Sequence, residues 1–167
     1  MSDIGVASKS NRPAPRAKRN RGERLTTTWM VLAAGLFAAT LLARAHLPAA
    51  WWLSIHILTL GVLTNAILQW SWYFSRSLLR LPAGDANSGR HQVWRQALFN
   101  AALAALIAGM MLANLAVVLA GAIGVGGVIA WHGGALVVSA RARLGSRFAV
   151  VIRYYIAASV FLVLGTV

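Results

Sequence analysis

Residues 97 to 140 read ALFNAALAALIAGMMLANLAVVLAGAIGVGGVIAWHGGALVVSA, 44 residues without one Lys, Arg, Asp or Glu. Wound as a single α-helix at about 1.5 Å per residue, the run would be roughly 66 Å long, about twice the hydrocarbon thickness of a bilayer. It must fold back on itself, and the reversal is expected near Asn114 to Gly121, leaving two spans at about 97–116 and 119–139. Apolar runs flank it on both sides. One covers 28–46 and is stopped by Pro48, a second covers 51–74, and a last one begins at Phe148 and is still apolar at Val167. The sequence thus predicts an all-α, polytopic membrane bundle of about five transmembrane helices, residues 28–167, behind an N-terminal tail of residues 1–27.

Composition agrees with lipid as the solvent. The chain of 167 residues is 59% hydrophobic and 11% charged, with a mean hydropathy of +0.66, whereas soluble domains carry roughly 25% charged residues. The formal charge of +13 arises from 16 Lys and Arg against three acids, Asp3, Glu23 and Asp85. Such an excess raises nucleic-acid binding as a possibility. The distribution argues against it, because the basic residues stand in short blocks between apolar runs, where they orient helices and meet anionic headgroups. Cysteine is absent, which removes disulfides, thiolate metal sites and a cysteine nucleophile.

The tail is rich in Ser, Pro, Arg and Lys, has no hydrophobic periodicity, and is expected to be disordered. It is long for the n-region of a secretory signal. The A-x-A match at the end of the first span, Ala43-Arg44-Ala45, carries a charge, so a retained signal anchor is the better reading. Counting Lys and Arg sets the orientation. The tail holds seven, the loop after the second span holds Arg76, Arg80, Arg90 and Arg95, and the loop after the fourth holds Arg141, Arg143 and Arg147, fourteen on one side against Arg44 on the other. The N-terminus is expected in the cytoplasm and the protein in the plasma membrane, with Trp29, Trp70, Trp72, Tyr73 and Trp94 at the inner interface and Trp51 and Trp52 at the outer one. The last span ends at Leu164-Gly165-Thr166-Val167 without a polar flank, so the chain is expected to be cut there.

Polar groups inside spans are expensive unless paired, and are therefore the candidates for function. Ser54, Gly61, Asn65 and Gln69 recur at spacings that put them on one face of the second span, a packing seam or, on the sharper reading, a substrate or proton path. His56 and His132 are the candidate metal or haem ligands, since neutral imidazole serves equally as a ligand and as an interhelical hydrogen-bonding group. Their estimated depths differ by roughly 13 Å, too far to share one iron, and His56 is the preferred metal ligand. His91 is expected in solvent and His46 at the outer interface. Arg153, a few residues inside the last span, either snorkels to the inner surface or pairs with an anion such as a haem propionate or lipid phosphate. Glycines 121, 124, 126, 127, 133 and 134 make the fourth span a surface for close helix contact; they fit neither a dinucleotide nor a Walker phosphate loop.

The stretch from Trp52 to Ser71, WLSIHILTLGVLTNAILQWS, then Leu78-Leu79-Arg80-Leu81-Pro82, and the stretch from Arg147 to Ala158, RFAVVIRYYIAA, together resemble the N-terminal membrane region of actinobacterial multicopper oxidases. The similarity covers most of residues 28–167. It implies helices that precede exported cupredoxin domains related to copper nitrite reductases. The HxLxLG element in the second span is also similar, over a shorter length, to the His-bearing helix of haem-copper oxidase subunit one and of NnrS-type haem proteins. Copper centres of such oxidases need Cys and clustered His, and neither is present here. If the chain belongs to an enzyme, the resemblance implies a copper-dependent oxidoreductase with its copper sites outside these residues. The expectation is a membrane module that anchors exported cupredoxin domains or adjoins further helices, with haem b or copper at His56 passing electrons; the alternative is a cofactor-free structural anchor or a small membrane protein of another role. A transporter is disfavoured by the lack of opposite-charge pairs and of an inverted repeat.

Overall fold

A computed structural model describes residues 21–81, 89–141 and 149–165. The described residues form helices and turns, without a strand among them. Helix α1 is Arg21–Leu42, α2 is Ala50–Leu79, α3 is Arg90–Met111, α4 is Leu115–Arg141 and α5 is Ala149–Leu164. The first four are long and apolar enough to cross a membrane; α5 is apolar and shorter. The tail up to residue 20, the turn-former cluster 82–88, Arg143 and Arg147, and residues 166–167 lie outside the described residues.

The reversal in the long apolar run comes at residues 112–114, at the leading edge of the expected stretch. Ala113 adopts φ 51°, the amide of Asn114 donates to the Gly109 carbonyl at 2.8 Å, and that of Ala113 donates to Met110 at 3.2 Å. This is a Schellman closure of α3. Asn114 then starts the next helix, its side-chain oxygen accepting from the Val117 amide at 3.2 Å. Arg80 closes α2 in the same manner at φ 50°, with Leu81 N–H bonded to the Arg76 carbonyl.

Two helices start earlier than their hydropathy indicates. α1 begins at Arg21, so residues 21–27 are helical, and Thr26 is buried against α2. α3 begins at Arg90 instead of Ala97, because Arg95 and Gln96, polar in sequence, are only 3% and 4% exposed and have partners on α2. α2 likewise runs on from Phe74 to Leu79, a buried residue.

Helices α3 and α4 pack most extensively, α5 lies along α4, and α1 lies chiefly along the middle of α2. Close approach of α3 and α4 rests on glycine: a Cβ on Gly109 would stand 2.6 Å from the Val118 nitrogen, and one on Gly121 2.5 Å from the Leu106 nitrogen. The apolar core gathers Leu68, Phe99, Leu103, Val125, Val128 and Ile129, and a second cluster joins Trp72, Ala135 and Leu136 to Tyr155 and Ile156. Large apolar side chains also cover the outside of the bundle, among them Val31, Ile55, Leu119, Ile123, Val138 and Phe161. A water-soluble protein rarely exposes so much contiguous apolar surface.

Candidate functional site

Helix α2 carries more polar groups than any other helix, and they fall into three levels along its length. Nearest its start, His56 is half-buried, its Nδ1 lies 2.8 Å from the Trp52 carbonyl one turn back, and its ring stacks on Trp52 with centroids 3.9 Å apart. A carbonyl only accepts, so Nδ1 carries a proton, and Nε2 is the ring nitrogen not engaged in this bond. Thr59 spends its hydroxyl on the Ile55 carbonyl at 2.7 Å.

The middle level is an amide cluster. Asn65, fully buried, exchanges two hydrogen bonds of 3.0 Å with the side chain of Asn100 on α3, and Gln96 donates to the same Asn65 oxygen. One turn further, the Gln69 oxygen accepts from Thr26 of α1 at 3.1 Å and from Gln92 of α3 at 2.9 Å. Gly61 belongs to the same face; a Cβ there would meet Ala33 of α1 at 3.0 Å and Leu103 of α3 at 3.9 Å. Three members of the sequence-derived face, Gly61, Asn65 and Gln69, therefore join three helices, while Ser54 is buried without a side-chain partner. This is the seam reading of that face.

At the third level, Ser71 Oγ lies 2.8 Å from Nε2 of His132 on α4, and the Trp72 and His132 rings meet edge-on at 6.3 Å. The Arg95 guanidinium sits over Trp72 at 4.5 Å and near Trp131 at 5.9 Å, in cation–π geometry. His91 packs near the Trp131 ring at 6.2 Å.

The three sequence-derived candidates are thus kept apart. His132 is 3% exposed, with Nε2 engaged and an indole against it, and its partner Ser71 lies roughly 20 Å along α2 from His56. Arg153 is exposed near the start of α5, at the end of the bundle where α2 finishes, roughly 28 Å along the axis from His56 at about 1.5 Å per residue. Among the described residues there is no group of three His, Cys, Asp or Glu able to hold a metal ion. His56 offers a single imidazole nitrogen, which falls short of a protein copper site, since that takes several N or S ligands.

Sequence reasoning singles out none of Asn100, Gln96 and Gln92, and takes Arg95 for a loop cation, whereas it is buried within α3. Their signal is spacing: residues 92, 96, 100 and 103 continue one helical stripe backwards from the apolar run into what reads as a polar loop. No family model matches the chain, and no curated protein or solved structure matches it either.

Proposed function

We propose that the chain is the plasma-membrane module of an oxidoreductase of the multicopper-oxidase kind, anchoring exported copper-bearing domains and passing electrons toward them through a haem b held by His56. The observation that carries this reading is the geometry of His56. A ligating histidine commonly donates its other ring N–H to a backbone carbonyl, which fixes the tautomer and the ring orientation. Here Nδ1 makes that bond to Trp52, which leaves Nε2 as the ring nitrogen that would ligate. A haem bound there would supply one-electron chemistry; the chain's own part would be to hold it through the His56 imidazole, oriented by the Trp52 carbonyl and stacked on the Trp52 indole.

In this reading the N-terminus is cytoplasmic, α5 is the fifth crossing, and His56 lies near the outer surface, on the side of the exported domains. The support is the arginine count, with Arg24, Arg76, Arg80, Arg90 and Arg141 at the helix ends that share one side and Arg44 at the opposite turn. Arg153 then meets a lipid phosphate at the inner surface, too far from His56 for a propionate of the same haem.

A second reading, a cofactor-free anchor, is favoured by the same imidazole being satisfied within its own helix by the Trp52 carbonyl and ring. Absorption spectra of the protein purified from membranes separate the two. The haem reading expects a Soret band that His56→Ala and His56→Gln lose and His132→Leu retains. A protein without the band is the anchor, and one that keeps it in His56→Ala holds its haem through another residue, which overturns the role given to His56.

A further inference from the structure

Helix α2 is not α-helical throughout. Ile57–Thr64, the segment that starts directly after His56, is π-helical. Such a wide turn accommodates one residue more than an α-helix, so the flanks on its two sides are turned relative to each other by about 100°, the angle one residue subtends. Isolated π-turns are costly and need something to hold their carbonyls. Here side chains do so: Thr64 Oγ1 donates to the Thr59 carbonyl at 2.9 Å and Asn65 Nδ2 to the Gly61 carbonyl at 2.8 Å. Asn65 is gripped from the far side by its paired bonds to Asn100 of α3.

The underwinding decides where the His56 flank faces. In the flank, Ser54 is 3% exposed and Ile55 55% exposed, with His56 between these extremes. Were the segment to rewind as α-helix around a fixed inner half, each residue before it would take the direction now held by its predecessor. Ile55 would turn inward to the place of Ser54, and His56 outward to the place of Ile55.

We propose that Asn65 is a positioning residue for His56: bonded at once to the π-turn and to Asn100 of α3, it holds α2 underwound and so sets the direction of the imidazole. The importance of that direction rests on the haem reading above; the mechanical claim does not. Asn65 is some nine residues from His56 in sequence, contacts it nowhere, and acts only through helix register.

The chain has no cysteine, so single substitutions report facing without background. Ser54→Cys, Ile55→Cys and His56→Cys are each labelled with a maleimide in the full chain in detergent micelles at alkaline pH, where a thiol on the outer face can ionise, with Ser54→Cys as the buried standard. Adding Asn65→Leu is expected to reduce labelling at Ile55→Cys to the buried standard and to raise it at His56→Cys. Deleting Leu63 in the same variant removes the extra residue and is expected to restore both. Should Asn65→Leu fail to insert, deletion of Leu63 alone remains decisive, since it should leave the pattern unchanged, whereas a deletion from a continuous α-helix would rotate the flank. Unchanged labelling in Asn65→Leu, or a rotated pattern on deleting Leu63 alone, overturns the proposal. A protein without haem leaves these outcomes as they are, so the two readings fail separately.

Discussion

Ser71 Oγ and His132 Nε2 lie 2.8 Å apart, a hydrogen bond between α2 and α4 made wholly inside the bundle, with both residues at most 5% exposed. It engages one of the two histidines that look like ligands in sequence; the other, His56, is bonded only within its own helix, to the Trp52 carbonyl.

The pair has a measurable consequence. Removing either partner leaves a buried polar atom without its bond, whereas replacing both removes the need for one. Ser71→Ala and His132→Leu are each expected to lower stability by about 1 kcal/mol, the scale of interhelical hydrogen bonds in membranes. The double variant should lose less than the sum. A thermodynamic cycle from detergent unfolding checks this, and strict additivity would show that the two groups do not interact.

Arg95 gives a second prediction. Its guanidinium is planar and lies over the Trp72 ring at 4.5 Å, an arrangement a lysine ammonium reproduces poorly even though it keeps the charge. Arg95→Lys is expected to destabilise the bundle by roughly 1 kcal/mol and to change Trp fluorescence. Equal stability and an unaltered emission spectrum would mean that charge alone matters at this position.

Arg95 also marks the limit of what the sequence makes legible. Helix rise and periodicity give about five spans, a reversal within 97–140, and a polar face of Ser54, Gly61, Asn65 and Gln69. The folded chain has four helices long enough to cross and a shorter fifth, has the reversal, and joins helices through Gly61, Asn65 and Gln69 but not Ser54. The start of α3 does not follow. Residues 90–96 carry two Arg and two Gln, the mark of a loop by composition, yet Trp72, Asn65 and Gln69 supply partners that bring Arg95, Gln96 and Gln92 into the helix. Local hydropathy cannot register partners that lie far away in sequence. The π-turn at Ile57–Thr64 is equally silent, because it depends on a bond to Asn100 on another helix.

Topology is tested independently of any cofactor. With the tail, the 82–88 loop and the loop after α4 on the basic side, a reporter inserted within 83–88 should be active in the cytoplasm and one fused after Val167 outside it. Both reporters scoring on the same side would remove α5 as a fifth crossing.

The last prediction concerns the glycines of α4, which look alike in sequence and are unlike in place. A methyl group on Gly121 would stand 2.5 Å from the backbone nitrogen of Leu106 and 2.7 Å from its Cα. Backbone cannot rotate out of the way, so α3 and α4 would have to separate and lose packing along their shared face. Gly127 and Gly134 have nothing within 4 Å of the same added atom. There the methyl meets open space, and alanine's better helix propensity, worth up to about 1 kcal/mol, is the remaining term. Gly121→Ala is therefore expected to destabilise by on the order of 2 kcal/mol, in the range of overpacked interiors. Gly127→Ala and Gly134→Ala should be neutral or slightly stabilising. Thermal unfolding in detergent ranks the three variants. If all three lose stability alike, the glycines act by making α4 pliable along its length, and close approach at the Leu106 backbone is not what selects them.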